Sequence, residues 1–348
     1  MRVRVLGSAA GGGFPQWNCG CRLCHGVRTG NVRARPRSQE CNAVSADGDR
    51  WVLLNASPEI RAQIEAFLAL HPRGSRRTPI AAIVLTSGDL DHVLGLLSLR
   101  EGQRLAVYAT EAVRRGFVEG NRLARTLERF PGQVLWRAID DGPATELADP
   151  DGLALGLTLT AAPAPGRPPP HLKGNLPDDP LENIGLALAD AQGRRLAYVP
   201  GTAEITPKLE ALMAGAEAVF LDGTCWSDDE LIAQGLSQAT ARSMGHLPVG
   251  GPDGSLATLA GLAARRRILI HLNNTNPLLD EDSAERRAAE AAGWEIAEDG
   301  LEIVLWVERQ TRFGRRCPRP SSSSGCAAKE RRAITTTTPS ITGCTPAR

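Results

Sequence analysis

Ile80-Ala-Ala-Ile-Val-Leu-Thr-Ser-Gly-Asp-Leu-Asp-His-Val-Leu-Gly95 changes character halfway along. Its first half is apolar and reads as a buried strand. Ser87, Asp89, Asp91 and His92 follow at the strand's exit, and Leu94, Leu96, Leu97 and Leu99 continue as the apolar face of a helix. A carboxylate at a helix start meets the partial positive charge of the free N–H groups, so one acid would serve as a cap. Two acids and a histidine between Asp89 and His92 exceed what capping needs. The segment reads as a chemical site on a strand-to-helix turn.

Outward from this point the chain repeats the same grammar. Short apolar runs predict strands at Val3–Leu6, Trp51–Asn55, Leu105–Ala109, Leu153–Leu159, Gly185–Ala189, Arg195–Val199, Ala218–Asp222, Arg267–Leu272 and Leu301–Trp306. Helical patterns lie between several of them, at Pro58–Leu70, His92–Leu99, Thr110–Glu119, Pro207–Ala214, Leu256–Ala264 and Ser283–Ala292. Asp190-Ala-Gln-Gly193 predicts a tight turn inside the hairpin Gly185–Val199, and the proline-rich Ala161–Pro170 predicts loop. Mixed hairpins and crossovers of this kind predict an α/β fold of packed sheets covered by helices.

With 348 residues, 42% of them hydrophobic, the chain can bury a large core. The net charge of +1 hides an asymmetry, because Arg309–Arg348 holds nine Lys or Arg against one Glu, leaving a mildly acidic body. A body of that sign lacks the basic footprint that nucleic acid requires. No apolar run approaches the roughly 18 residues of a membrane span. The N-terminus reads as a strand and not as a signal peptide, so the expectation is a soluble, cytoplasmic protein. Residues 1–307 are expected to form the domain. Residues 308–348, rich in Ser, Thr, Pro and Arg, are expected to be a disordered tail in which Cys317, Cys326 and Cys344 are incidental thiols.

Two further stretches carry chemistry. Gly7-Ser-Ala-Ala-Gly-Gly-Gly-Phe-Pro-Gln-Trp-Asn-Cys-Gly-Cys-Arg-Leu-Cys24 ends in three cysteines close enough to surround one tetrahedral ion. Reduced cytoplasmic thiols favour a metal over disulfides for Cys19, Cys21 and Cys24, with His25, Cys41 and Asn274 as candidates for the fourth ligand. Arg267-Ile-Leu-Ile-His-Leu-Asn-Asn-Thr-Asn-Pro277 puts His271 at the end of a buried strand among polar groups. His246 stands alone in a Gly-rich loop, where a structural role is equally open, and His171 lies in the proline-rich loop. Asp222 ends an apolar strand, from which it either reaches a site or caps the turn to Gly223.

Thr86-Ser-Gly-Asp-Leu-Asp-His-Val-Leu-Gly95 resembles the metallo-β-lactamase superfamily signature Thr-His-x-His-x-Asp-His-x-x-Gly, with Asp91, His92 and Gly95 retained. Ser87 and Asp89 stand where that family keeps two metal-binding histidines. Gly201 stands where its dinuclear enzymes keep a bridging carboxylate, and Cys41 stands where serine is implied. The cysteine knuckle, Phe220–Glu230, Ser243–Val249 and the Asn-Asn-Thr-Asn-Pro run are similar to the branch serving pyrroloquinoline quinone (PQQ) biosynthesis, and the likeness runs from Met1 to about Trp306. The resemblance implies the αββα sandwich of the superfamily. It also implies that His271 is the last metal-binding histidine and that His246 is a second-sphere proton donor.

A site without the two lost imidazoles is not expected to hold the zinc pair that activates water for hydrolysis. His92, His271 and a carboxylate from Asp89 or Asp91 compose the two-histidine, one-carboxylate set of non-haem iron(II) oxygenases. The resemblance then implies iron-dependent hydroxylation of the tyrosine in a Glu-Tyr unit, with His246 or Asp222 moving protons, and a structural zinc in the knuckle. The competing expectations are a carrier of PQQ or its precursor toward the periplasm and a surviving zinc hydrolase. The partners expected are the small peptide-derived substrate and, for assembly, a homodimer.

Overall fold

Trp51-Val-Leu-Leu54 and Ile80-Ala-Ala-Ile-Val84 are buried at every position, and strands that are apolar on both faces need cover on both. The computed structural model, which describes residues 1–174 and 178–305, supplies that cover with two packed sheets and flanking helices. The first sheet contains β1 (Arg2–Gly7), β2 (Cys41–Ser45), β3 (Trp51–Leu54), β4 (Ile80–Val84), β5 (Leu105–Ala109) and β6 (Val134–Ala138). The second contains β7 (Thr145–Ala148), β8 (Ala154–Pro163), β9 (Ile184–Asp190), β10 (Arg195–Val199), β11 (Ala218–Asp222), β12 (Arg266–Ile270) and β13 (Glu295–Ile296). The strand β14 (Glu302–Val304) returns to pair with β1, giving the orders β14-β1-β2-β3-β4-β5-β6 and β13-β12-β11-β10-β9-β8-β7.

Three apolar layers hold this together. Val3, Val5, Leu54 and Val84 of the first sheet meet Leu157, Leu186, Leu188, Tyr198, Phe220 and Ile270 of the second. Outside the first sheet, Leu53, Ile83 and Val107 pack under the helices Ile60–Glu65 and Glu111–Glu119. Outside the second, Val199, Val219 and Leu269 pack against Leu209, Leu212 and Met213 of the helix Pro207–Met213. Phe220 lies in the middle layer, fully buried and edge-on to Tyr198 at 6.3 Å. Phe220→Ala is therefore expected to cost about 3–5 kcal/mol, to be read from urea unfolding.

The parallel halves position the site. Strands β3 to β6 run parallel, as do β10 to β13, and both sets end at one rim. Ligand sites of α/β sheets form beyond such carboxyl ends. The two sheets are joined there by bridges between Ser87 and Asn183 and between Ala9 and Leu272.

Some elements differ from the expectations. The hairpin forms as read, with Arg195 opposite Ala189 and Gly193 left-handed at φ 77°. Pro58–Leu70 divides into Ile60–Glu65 and the 3₁₀ turn Leu68–Leu70, and Leu256–Ala264 shrinks to Ser255–Thr258. Ala161–Pro163 is not loop but the end of β8, where a proline costs little because the ladder stops. The strands β2, β6 and β7 and the helix Arg22–Thr29 carry no clean period in sequence, because Cys41-Asn-Ala-Val-Ser45 is buried although half polar. The described elements belong to one compact unit, Met1–Val307, while Trp306 and the expected tail with Cys317, Cys326 and Cys344 lie outside the described residues. No helix among the described residues is long and apolar enough to cross a membrane.

Candidate metal centre

The turn after β4 and the exit of β12 bring Asp91 and His92 together with His271, which stands 180 residues beyond Asp91 in the chain. Their donor atoms all lie within 4.8 Å of one another. Asp91 Oδ2 is 3.1 Å from His271 Nε2 and 3.9 Å from His92 Nε2. His271 has the left-handed φ of 61°, a conformation costly for a residue with a Cβ and concentrated at functional sites.

Each imidazole is oriented from behind by a hydroxyl. Ser87 Oγ donates to Asp89 Oδ2 at 3.2 Å, which leaves it to accept from His92 Nδ1–H at 2.8 Å. Thr224 Oγ1 donates to Asp222 Oδ1 at 2.6 Å and accepts from His271 Nδ1–H at 2.8 Å. Both rings are thereby held with Nε2 facing Asp91, that of His271 within hydrogen-bond distance of the carboxylate, and supporting partners of this kind set metal-binding tautomers. His92 Nε2 is buried with no hydrogen-bond partner, and a bare buried nitrogen is what a cation would satisfy. The residues present thus fit a metal ion. Ser87 is more than a lost ligand, since it keeps a role as the support of His92.

Electrostatics favour the same set. Burial works against ionisation of Asp91, but the facing rings of His92 and His271 outweigh it and hold its carboxyl well below the usual carboxylate range. Burial pulls the His92 ring down to about 4, keeping it a neutral donor at pH 7. Burial, helped by the Asp91 charge, pushes Asp89 up to about 6, and its carboxylate lines the cleft outside the three-donor group. Asp91, not Asp89, is thus the acid placed among the imidazoles.

A second group sits alongside. His246 Nδ1 lies 2.7 Å from Asp222 Oδ2, and its ring stacks on His271 with centroids 5.3 Å apart. Asp222 is 1% exposed, and it also accepts from Thr202 N–H, so it does reach the site. Burial opposes charge on both partners, yet their mutual attraction raises the His246 ring and lowers the Asp222 carboxyl. A Cβ at Gly201 would stand 3.6 Å from the His246 ring, so glycine leaves open the space that a carboxylate there would enter. His171 is not among the residues lining this cleft.

Sequence reasoning passed over Glu40. Its carboxyl is fully buried, 3.5 Å from His92 Nε2, and accepts from Asn55 Nδ2 at 2.7 Å. Burial pushes it well above its ordinary range. No spacing announces it, because an acid beside Gln39 reads as surface.

The three cysteines of the knuckle come together. Cys19, Cys21 and Cys24 offer sulfurs within 4.8 Å of one another, and Cys21 caps the helix Arg22–Thr29 by accepting from Cys24 N–H. Burial pushes Cys24 up to about 11, whereas at Cys21 hydrogen bonds outweigh burial and lower the thiol. Asn274 reaches into the trio, its amide nitrogen 3.2 Å from Cys19 Sγ and 3.4 Å from Cys24 Sγ. The other two candidates go elsewhere: Cys41 Sγ donates to the Asn55 carbonyl under the first sheet, and His25 is exposed.

Comparison with known proteins agrees with this geometry. The model of the Beta-lactamase superfamily domain matches residues 50–272. Coenzyme PQQ synthesis protein B of Pseudomonas paraeruginosa (strain PA7) is 47% identical over 309 residues, covering 88% of this chain and all of that protein. Its counterpart in Methylococcus capsulatus is 47% identical over 310 residues, with 88% of this chain and all of that protein covered. The crystal structure of Zn(2+)-bound PqqB from Methylobacterium extorquens superposes with a TM-score of 0.81 at 44% identity, over 88% of this chain and 100% of that one. A diphosphatase of the PhnP family, at 21% identity and a TM-score of 0.60 over 88% of this chain and 98% of that one, shares the fold. On the fold, the retained half of the metal site and these relatives together, the chain belongs to the coenzyme PQQ synthesis protein B family of the β-lactamase superfamily.

Proposed function

We propose that this chain acts in PQQ biosynthesis as an oxygenase, hydroxylating the tyrosine ring of a small Glu-Tyr unit at an iron(II) ion held by Asp91, His92 and His271. The observation that carries the reading is the donor set: two imidazole nitrogens and one carboxylate around a common point, with Ser87 and Gly201 at places where the dinuclear members of the superfamily keep ligands. Replacing imidazole by oxygen donors lowers selectivity for zinc and suits harder iron(II). Iron(II) in such a site would bind and activate dioxygen, and ring hydroxylation would place one oxygen atom on the ring while an external two-electron donor such as ascorbate, with two protons, reduces the other to water.

The protein's own groups do the rest. Thr224 and Ser87 hold His271 and His92 by their Nδ1 atoms, so neither ring can turn its Nε2 away. Asp222 holds His246 by Nδ1, which leaves His246 Nε2 free to take the phenolic proton and return it. Asp89, pushed up to about 6 by burial, lines the same cleft as a second group able to carry a proton. In the knuckle, a turn of the Asn274 amide brings Oδ1 toward the three sulfurs, and we assign it as the fourth donor to a structural zinc. The expected compartment is the cytoplasm.

Two competing readings use the same cleft. A dinuclear zinc hydrolase would need a second ion, and with Ser87 and Gly201 in place of two superfamily ligands the remaining donor group, Asp222, His246 and His271, has to share His271 with the first. A carrier of PQQ needs no buried, unpartnered imidazole nitrogen, so His92 Nε2 weighs against it. The experiment is metal analysis after anaerobic iron loading. Asp91→Ala is expected to retain no iron, whereas Asp89→Ala keeps iron and loses on the order of 10- to 100-fold in turnover, as for loss of a supporting group. Equal iron retention in Asp91→Ala and the parent would discard this ligand set.

A further inference from the structure

The proline-rich segment after β8 forms one wall of the cleft and places a single guanidinium there. The cleft, of about 230 Å³, is lined by Asp89, Asp91, His92, His246, His271 and Arg167 among others. Among its described lining residues Arg167 is the one permanent cation. It faces a site rich in carboxylates, yet its side chain is exposed and makes no hydrogen bond or ion pair with any described residue. An unpaired guanidinium at the mouth of a metal cleft is a binding group without its ligand.

The backbone beneath it is stiff. Pro168, Pro169 and Pro170 fix their own φ angles, and Pro168 restricts Arg167 to extended conformations. Asn183 Nδ2 donates to the Arg167 carbonyl at 3.2 Å. Gly245, left-handed at φ 89°, packs so closely that a Cβ would lie 3.0 Å from Arg167 N. On the other side, a Cβ on Gly88 would lie 3.3 Å from Pro169, which binds this wall to the turn carrying Asp89. The base of Arg167 is thus held in register with the metal-binding turn, while its head is free to close on a ligand.

We propose that Arg167 is the carboxylate anchor of the substrate, selecting small anionic molecules and setting the distance from the gripped carboxylate to the metal-binding group. Guanidinium matches carboxylate with two parallel hydrogen bonds, which fixes orientation as well as affinity. The proposal deepens the hydroxylase reading in naming Glu-Tyr as the ligand, but its core, carboxylate selection by Arg167, stands apart from the reaction.

The test is calorimetric binding of Glu-Tyr, of Gln-Tyr amide, which lacks both carboxylates, and of PQQ to the zinc-loaded full-length protein. Turnover of Glu-Tyr by the iron-loaded protein is measured beside it. The parent is expected to bind Glu-Tyr about 10- to 100-fold more tightly than Gln-Tyr amide, the range of a charge-assisted pair. Arg167→Gln should erase that preference and raise KM more than it lowers kcat, and Arg167→Lys should restore part of it. Because the side chain is exposed, melting of both variants should match the parent. Parent-like affinity for Glu-Tyr in Arg167→Gln overturns the anchor, even if hydroxylation proceeds. Failure of the parent to bind either Glu-Tyr or PQQ overturns it too. Arg167-dependent binding without turnover upholds the anchor and removes the hydroxylase reading instead.

Discussion

His271→Ala is expected to leave a folded protein that retains no iron after anaerobic loading and makes no hydroxylated Glu-Tyr. The loss should exceed the roughly 10- to 100-fold that removal of an orienting partner costs, because one of three protein donors is gone. His271 is also the hinge of the site: its ring touches Asp91 at 3.1 Å, Thr224 at 2.8 Å and the His246 ring. Removing it therefore also detaches the His246–Asp222 pair from Asp91 and His92. Melting should fall modestly, since alanine keeps the Cβ cost of the left-handed φ and leaves Thr224 without its imidazole partner. Thr224→Val separates the two roles. It keeps all three donors and frees the rings, so iron should still bind, more weakly, while turnover falls further.

Cys21→Ser is expected to release one equivalent of zinc and to destabilise the fold by more than the ~3–5 kcal/mol of Phe220→Ala. Structural zinc sites contribute about 10–16 kcal/mol of apparent binding energy in small domains, and that energy is folding energy. The knuckle also connects distant parts of the chain, since Asn274 follows β12 while the cysteines follow β1. Arg28 fastens the loop by donating to the carbonyls of Gln16 and Cys19. Asn274→Ala should lose part of the zinc, Asn274→Asp should keep it, and His25→Ala should leave it in place. Full zinc occupancy and unchanged melting in Cys21→Ser would remove the structural ion from the account.

Much of the fold was legible because its central strands are unbroken apolar runs. Trp51–Leu54, Ile80–Val84 and Ala218–Asp222 are buried on both sides, so their composition announces them. The strand β2 was not legible, because Asn42 and Ser45 are buried in it and Glu40 is buried just before it. The candidate ligands were readable from spacing and resemblance, but their roles depended on geometry. Nothing in the order Asp-Leu-Asp-His says that Asp91 turns toward His271 while Asp89 turns toward Ser87. Thr224 escaped notice because a threonine after Asp-Gly reads as part of a turn, although its hydroxyl contacts Asp222, His246 and His271. Arg167 was hidden for the opposite reason: its neighbours Gly166 and Pro168 mark only a loop, and its place in the cleft follows from packing on Gly245 and Asn183.

The most direct test of the central claim is to expose the iron-loaded protein and Glu-Tyr, with ascorbate as the two-electron donor, to isotopically labelled dioxygen and follow the peptide by mass spectrometry. The account predicts a product carrying labelled oxygen on the tyrosine ring, formed by the parent and absent with His271→Ala. Unchanged Glu-Tyr with an iron-replete parent, together with tight binding of PQQ itself, would contradict it and leave the carrier in its place.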